Sequence, residues 1–250
     1  MAEREQGAVP VRRRSVSPEL KARVWTAFGR ACWLRMPGCT GWADTVDHVI
    51  PVNIGGRNTL ANLRPACGSC NRKRWDRVIS GYGAVVRMVI GPPAGGKTTY
   101  VAEHRMPGDV VVDFDQLARC LCPGVESSHD FDRYVNMVAR GAWQGAYRAA
   151  ARLGDPVGVW CVKTDWLNHR GVDILDEWLA LNYEVVVCDP GLEACMYRLE
   201  AQHRSEAAKR KAREWYRLGF SAAKVEARRA ARRNGRPAVV EGTDVGRVRF

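Results

Sequence analysis

Apolar residues gather in short β-branched runs, Ala84 to Ile90, Asp109 to Val112, Val157 to Val162, Glu184 to Val187 and Ala238 to Val240. Longer stretches with apolar positions at helical spacing lie between them. Alternation of this kind predicts an α/β unit, a parallel sheet wrapped by helices. Phe131 to Leu153 reads as an amphipathic helix with Trp143 and Tyr147 at i, i+4 on its core side, and Ser221 to Asn234 reads as a helix with a serine cap and a Gly235 stop. Before about Val78 the texture differs. Residues 1–17 show no hydrophobic period and are expected to form a mobile basic arm; residues 18–80 are loop-rich and carry cysteines. Ser80-Gly81-Tyr82-Gly83 is expected to be a short linker, with residues 81–250 forming the second domain. No internal repeat is present.

The chain has 250 residues, 46% of them apolar and 26% charged, which excludes a mainly disordered, collagen-like or coiled-coil protein. No apolar run is long enough for a membrane span and no signal-peptide pattern is seen, so a soluble cytoplasmic protein without a membrane partner is expected. In a reducing compartment the nine cysteines are expected to be thiols or metal ligands. The net charge of +12 is uneven. Residues 1–80 hold 14 Lys and Arg against 6 Asp and Glu, residues 81–203 hold 11 against 16, and residues 204–236 hold 12 against 3. Two basic blocks flanking an acidic one point to a polyanionic partner such as nucleic acid, DNA or RNA.

Cys32 and Cys39 form one pair and Cys67 and Cys70 a second, with 27 residues between the pairs. Two thiolate pairs can close a structural Zn²⁺ site, which would stabilise a domain with a thin core; four buried thiols are the alternative. Between the pairs lie Val46-Asp47-His48-Val49-Ile50-Pro51, Gly55-Gly56, Asn58 and Ala61-Asn62-Leu63-Arg64-Pro65, and Asn71-Arg72-Lys73-Arg74 follows. Over residues 22–77 this resembles the HNH endonuclease family, in particular its cysteine-bearing phage and homing-type members. The resemblance implies a ββα-metal unit in which His48 is the general base and Asp47 and Asn71 hold one Mg²⁺ or Mn²⁺. Asn62 would brace the loop that orients His48. The third family position is Asn71 here rather than histidine; an amide oxygen suits Mg²⁺ better than a soft metal. Arg72, Lys73, Arg74 and Arg77 would follow on the same helix as phosphate contacts, with Trp75 in core or hinge packing.

The strand ending at Ile90 runs into Gly91-Pro92-Pro93-Ala94-Gly95-Gly96-Lys97-Thr98, which fits G-x-x-x-x-G-K-[ST] in the context that motif needs. Gly91, Gly95 and Gly96 let backbone N–H groups surround a phosphate. Lys97 would reach the β- and γ-phosphates of ATP and the Thr98 hydroxyl would bind Mg²⁺, with Thr99 beside it in the nucleotide-binding set. Val110-Val111-Val112 then ends in Asp113-Phe114-Asp115, and Glu184 to Val187 runs into Cys188-Asp189-Pro190. This arrangement resembles the small P-loop kinases, and among them the phage-type 5′-hydroxyl polynucleotide kinases. By that resemblance Asp115 is the base and Asp113 a magnesium-shell or supporting residue. Arg204 and Arg210, within Arg198-x5-Arg204 and Lys209 to Arg213, would belong to a basic lid. The family's arginine three residues after the base is Ala118 here, and Arg119 is one place off. Cys120, Cys122, Cys161, Cys188 and Cys195 share no ligand spacing and are expected to be buried thiols.

Three functions follow. The first is a bifunctional enzyme, a metal-dependent HNH endonuclease fused to an ATP-dependent 5′-hydroxyl polynucleotide kinase, serving end repair or DNA processing in a phage-infected cell. HNH cleavage by the family leaves 5′-phosphates, so the two activities would act on different ends. The second keeps the nuclease and makes the other domain a nucleoside or modified-base DNA kinase. The third is an ATP-switched DNA-binding protein.

Overall fold

The computed structural model describes residues 15–122 and 131–234, so the expected strand at 238–240 and the basic arm up to residue 14 lie outside the described residues. The chain begins with helix α1 (Pro18–Phe28), started by Ser17, whose hydroxyl accepts from Leu20 N, and by Pro18 at the first turn. Sequence periodicity gave no sign of this helix. Strands β1 (Thr45–His48) and β2 (Leu63–Ala66) pair antiparallel with Asp47 opposite Arg64, and helix α2 (Gly68–Arg74) follows. Val24 of α1 packs on Val46 and Leu63, which fixes α1 across the hairpin. The Asp44 carboxylate accepts from Gly68 N at 2.6 Å and so caps the start of α2.

The second unit runs β3 (Val85–Ile90), α3 (Lys97–His104), β4 (Val110–Val112), α4 (Phe114–Leu121), α5 (Arg133–Ala150), β5 (Gly158–Lys163), α6 (Leu175–Ala180), β6 (Glu184–Val187), α7 (Leu192–Ala201), α8 (Glu206–Arg217) and α9 (Ala222–Asn234). Its four strands are parallel in the order β4-β5-β3-β6. The period of two along each strand divides the core. Val89, Trp160 and Val162 face Val101 of α3, whereas Val86, Met88, Ile90, Val112, Val159 and Cys161 face Ala150, Leu175 and Trp178 on the other side. A sheet buried on both faces accounts for the near-continuous apolar runs in its strands. Trp143 on α5 donates from Nε1 to the carbonyls of Val112 and Val162, tying the ends of β4 and β5 together.

The two units share one core. Cys32, Leu34, Met36, Ala66, Cys67 and Cys70 pack in the same cluster as Val78, Ile79, Trp178 and Leu181. Arg77 pairs with Glu177 at 2.5 Å, Arg152 pairs with Asp76 at 2.5 Å, and Arg232 of α9 donates to the carbonyls of Leu34 and Arg35, each at 2.9 Å. The segment joining the units is held as firmly. Ser80 is buried, its hydroxyl accepts from Val86 N at 3.0 Å, and its backbone joins Leu181 and Asn182. Among the described residues no helix is long and apolar enough to cross a membrane.

Candidate active sites

Cys32, Cys39, Cys67 and Cys70 converge, their sulfurs all within 4.8 Å of one another. The Cys39 and Cys67 sulfurs are 3.8 Å apart, and a Zn–S bond of about 2.3 Å gives a tetrahedral edge of about 3.8 Å. Backbone N–H groups point at three of the sulfurs: Cys67 N at Cys32, Gly41 N at Cys39 and Cys70 N at Cys67. Burial acts upward on the Cys67 thiol, but the N–H groups of Cys70 and Thr40 outweigh it and hold that thiol down to about 6. Burial, with the neighbouring Cys67 thiol, drives Cys70 the other way. The donor set fits a structural Zn²⁺.

β1 carries Asp47 and His48. Asp47 is 3% exposed, and its Oδ2 accepts from Trp33 Nε1 at 3.2 Å and from Arg74 Nη1 at 2.5 Å. Arg74, 1% exposed, also donates to the carbonyls of His48 and Val49. The expected phosphate contact at Arg74 is therefore corrected: the guanidinium is the buried counter-ion of Asp47. Burial nevertheless pushes the Asp47 carboxyl up, with Arg74 opposing. His48 Nε2 lies 2.7 Å from Asn58 Oδ1. Asn62 spans the following loop, accepting from Ile50 N at 2.8 Å and donating to the carbonyls of Ile50 and Arg57. Asn71 on α2 donates from Nδ2 to the carbonyl of Val46 at 3.1 Å, beside Asp47 in the chain. Sequence reasoning noted Asn58 without a role and missed Trp33; only the fold brings both to the pair.

The loop after His48 turns so tightly that a Cβ at Gly56 would lie 1.7 Å from the carbonyl oxygen of Ile50. Gly56→Ala is expected to lower stability by about 1–3 kcal/mol and to displace the Asn62 clamp. Thermal unfolding and the His48 imidazole NMR signals check this. Trp75, expected in core or hinge packing, is instead 64% exposed at the end of α2. Arg72 and Lys73 are exposed, while Arg77 is engaged by Glu177.

The second constellation sits at the carboxyl edge of the parallel sheet, where open α/β sheets bind ligands. Gly91 follows β3, and a Cβ there would lie 2.4 Å from the carbonyl oxygen of Cys188 at the end of β6. Gly91 N donates to Thr164 O, and Gly96 takes φ +91° before α3 starts at Lys97. Lys97 Nζ donates to the carbonyls of Gly91 at 2.8 Å and Pro92 at 2.7 Å, and burial pushes its ammonium down to about 8. Thr98 Oγ1 donates to Asp113 Oδ2 at 3.2 Å, with Thr99 exposed in the same turn. Asp113 Oδ1 caps α4 by accepting from Asp115 N and Gln116 N, and Asp115 lies half-buried in that helix's first turn. A cleft of about 300 Å³ opens beside this pair, lined by Thr98, Arg105, Asp113 and Gln116.

Cations approach from α7 and α8. Arg198 Nη1 donates to Ala94 O in the loop at 3.2 Å, and Lys211 disfavours charge on both Lys97 and Lys163. Trp215 Nε1 donates to Thr164 O at 2.8 Å and anchors α8 to the sheet edge. Of the arginines chosen from the sequence, Arg204 is half-buried before α8 and Arg210 is exposed on it. The remaining cysteines are mixed: Cys161 and Cys195 are buried, Cys188 is half-buried, and Cys120, expected buried, is exposed.

Residues 32–77 match the family model of the HNH endonuclease. No curated protein matches the chain. The match takes in all four clustered cysteines, the Asp47–His48 pair, Asn62 and Asn71. Residues 32–77 are thus an HNH endonuclease domain within a mixed α/β architecture with a parallel sheet; such a domain implies nucleic-acid binding, and HNH nucleases use a divalent metal.

Proposed function

We propose that the protein joins a metal-dependent HNH endonuclease to an ATP-dependent 5′-hydroxyl polynucleotide kinase. For the nuclease, the carrying observation is the hydrogen bond between His48 and Asn58. An amide oxygen only accepts, so Nε2 bears the proton and Nδ1 is the basic nitrogen that takes a proton from the attacking water. Asn62 holds both backbone groups of Ile50 and so fixes the chain just after the base. Asp47 and Asn71 would hold Mg²⁺ or Mn²⁺: Arg74 and Trp33 occupy Asp47 Oδ2, so Oδ1 would be the ligating atom there, and with Nδ2 committed to Val46 O the Asn71 oxygen is the atom left to ligate. When bound, the ion supplies charge stabilisation at the scissile phosphate.

For the kinase, the carrying observation is the Thr98–Asp113 hydrogen bond beside Lys97 at the sheet's carboxyl edge. In this reading Lys97 exchanges its loop carbonyls for phosphate oxygens, and Thr98 with Asp113 forms the seat for Mg²⁺. Asp115 takes the proton of the acceptor hydroxyl. The bond from the γ-phosphorus to the bridging oxygen breaks as the bond to the 5′-oxygen forms, and ADP departs. Arg204 and Arg210, with Arg198 and Lys211, balance the charge spread over the transferring group. A second reading, a nucleoside or modified-base acceptor, is favoured by Ala118: the position of the family's arginine is fully buried, so no cation reaches the acceptor from it.

Purified protein with Mg²⁺, γ-labelled ATP and either 5′-hydroxyl oligonucleotides or free nucleosides separates the readings. Label on the oligonucleotide 5′ end supports the first and label on a nucleoside the second; label released only as phosphate contradicts both. The Lys97 ammonium also sets a pH limit. Its pKa of about 8 in the nucleotide-free protein predicts that kcat/KM for ATP falls as pH rises through about 8, where the amine becomes neutral. A pH profile at low ATP checks this, and in Lys97→Arg the falling limb is expected to leave the accessible range.

A further inference from the structure

A cavity of about 340 Å³ opens at the amino end of β6 where α9 crosses it, and its lining holds none of the residues of the two constellations. Arg229, Arg232 and Arg233 line it with Asn182 and Glu184. The lining thus holds three arginines against one carboxylate, and that carboxylate already pairs with Arg87 at 2.9 Å. Among the described residues Arg229, half-buried, pairs with the exposed Glu226 on its own helix, a contact between near neighbours that is worth little and is readily exchanged. Arg232 is fixed by the carbonyls of Leu34 and Arg35, in the stretch between Cys32 and Cys39. The cavity therefore borders the HNH domain although its arginines belong to the other unit.

We propose that this cavity is a phosphodiester-binding site that extends the nuclease's nucleic-acid surface onto α9. The inference rests on the nuclease reading. A guanidinium fork matches a phosphate's oxygens bidentately, and arginines at i and i+4 line one flank of the helix over about 6 Å. Contiguity with the cysteine knuckle selects the backbone of the nucleic acid held by the HNH domain over a free nucleotide. A duplex reaching past the knuckle gains these contacts, and one confined to the His48 site does not. The shared core and the Arg232 clamp keep the two surfaces in fixed relation.

The test measures duplex binding to the full chain in a His48→Ala background, which prevents cleavage, with and without Arg229→Gln and Arg233→Gln together. Duplexes of about 8 and about 24 base pairs, roughly 27 and 80 Å long, are titrated across a salt series. For the longer duplex the double substitution is expected to lower the salt slope by roughly two and the affinity roughly 30-fold near 0.15 M salt. The short duplex should bind unchanged, and the melting temperature should hold. Unchanged long-duplex affinity, equal loss for both lengths, or displacement of the duplex by ATP at this cavity in the Lys97→Ala protein would overturn the site. Failure of the parent to bind any duplex would instead strike the nuclease reading itself.

Discussion

Replacing Cys67 by serine is expected to release the metal from the cysteine knuckle and to unfold the N-terminal unit at temperatures the parent withstands. Cys67 is the thiol most readily ionised, held down to about 6 by N–H groups of Cys70 and Thr40, and its sulfur also caps α2. Losing it removes a ligand and a helix start together. Structural zinc contributes on the order of 10–16 kcal/mol of apparent binding free energy in small domains, far more than a hairpin and one short helix can spare. Because Cys67 and Cys70 lie in the core shared with Val78 and Trp178, the damage should spread to the second unit. Metal content should fall from one zinc per chain to none, with a matching drop in melting temperature. A strong chelator should reproduce it in the parent, as should acid, since protons compete for the thiolates. A parent that is purified without zinc and melts identically with or without chelator would contradict this.

His48→Ala is expected to reduce strand cleavage by about 10²–10⁴-fold, the usual worth of a positioned general base, while leaving the melting temperature and zinc content unchanged. The imidazole is half-exposed, and its side-chain contact is to Asn58, itself exposed, so removing it opens no core cavity. Asn58→Ala should act through His48. Without its acceptor the ring loses its tautomer preference, so kcat should fall by a smaller factor while KM and the melting temperature hold, whereas a merely structural effect would lower the melting temperature as well.

Features fixed by local spacing were legible in the sequence: the cysteine pairs, the Asp47–His48 pair, Asn62 and Asn71, the run from Gly91 to Thr98, and the parallel strands with their β-branched runs. What escaped was decided by which way a side chain turns. Arg74 stands among Arg72, Lys73 and Arg77, and nothing in that run distinguishes the one guanidinium that enters the core to meet Asp47. Trp75 reads as packing because indoles usually are buried, yet its backbone takes φ +59° at the end of α2 and the ring lies outside. The basic stretch after Asp189 predicted cations without saying which would reach the loop; the α7–α8 pairing brings Arg198 to Ala94 and Lys211 toward Lys97. The common core of the two units was also out of reach. Its contacts join residues about a hundred apart or more, as in Arg77 with Glu177 and Arg232 with Leu34.

Two independent phosphate chemistries in one chain, as proposed above, are separated by one crossed assay. Parent, His48→Ala and Lys97→Ala proteins are each given Mg²⁺, supercoiled DNA, γ-labelled ATP and a 5′-hydroxyl oligonucleotide, and both products are read from the same tube. His48→Ala is expected to lose cleavage and keep labelling of the 5′ end, and Lys97→Ala to keep cleavage and lose labelling by on the order of 10²–10³-fold. Loss of both activities in either variant, or a parent that shows only one of them, would contradict this.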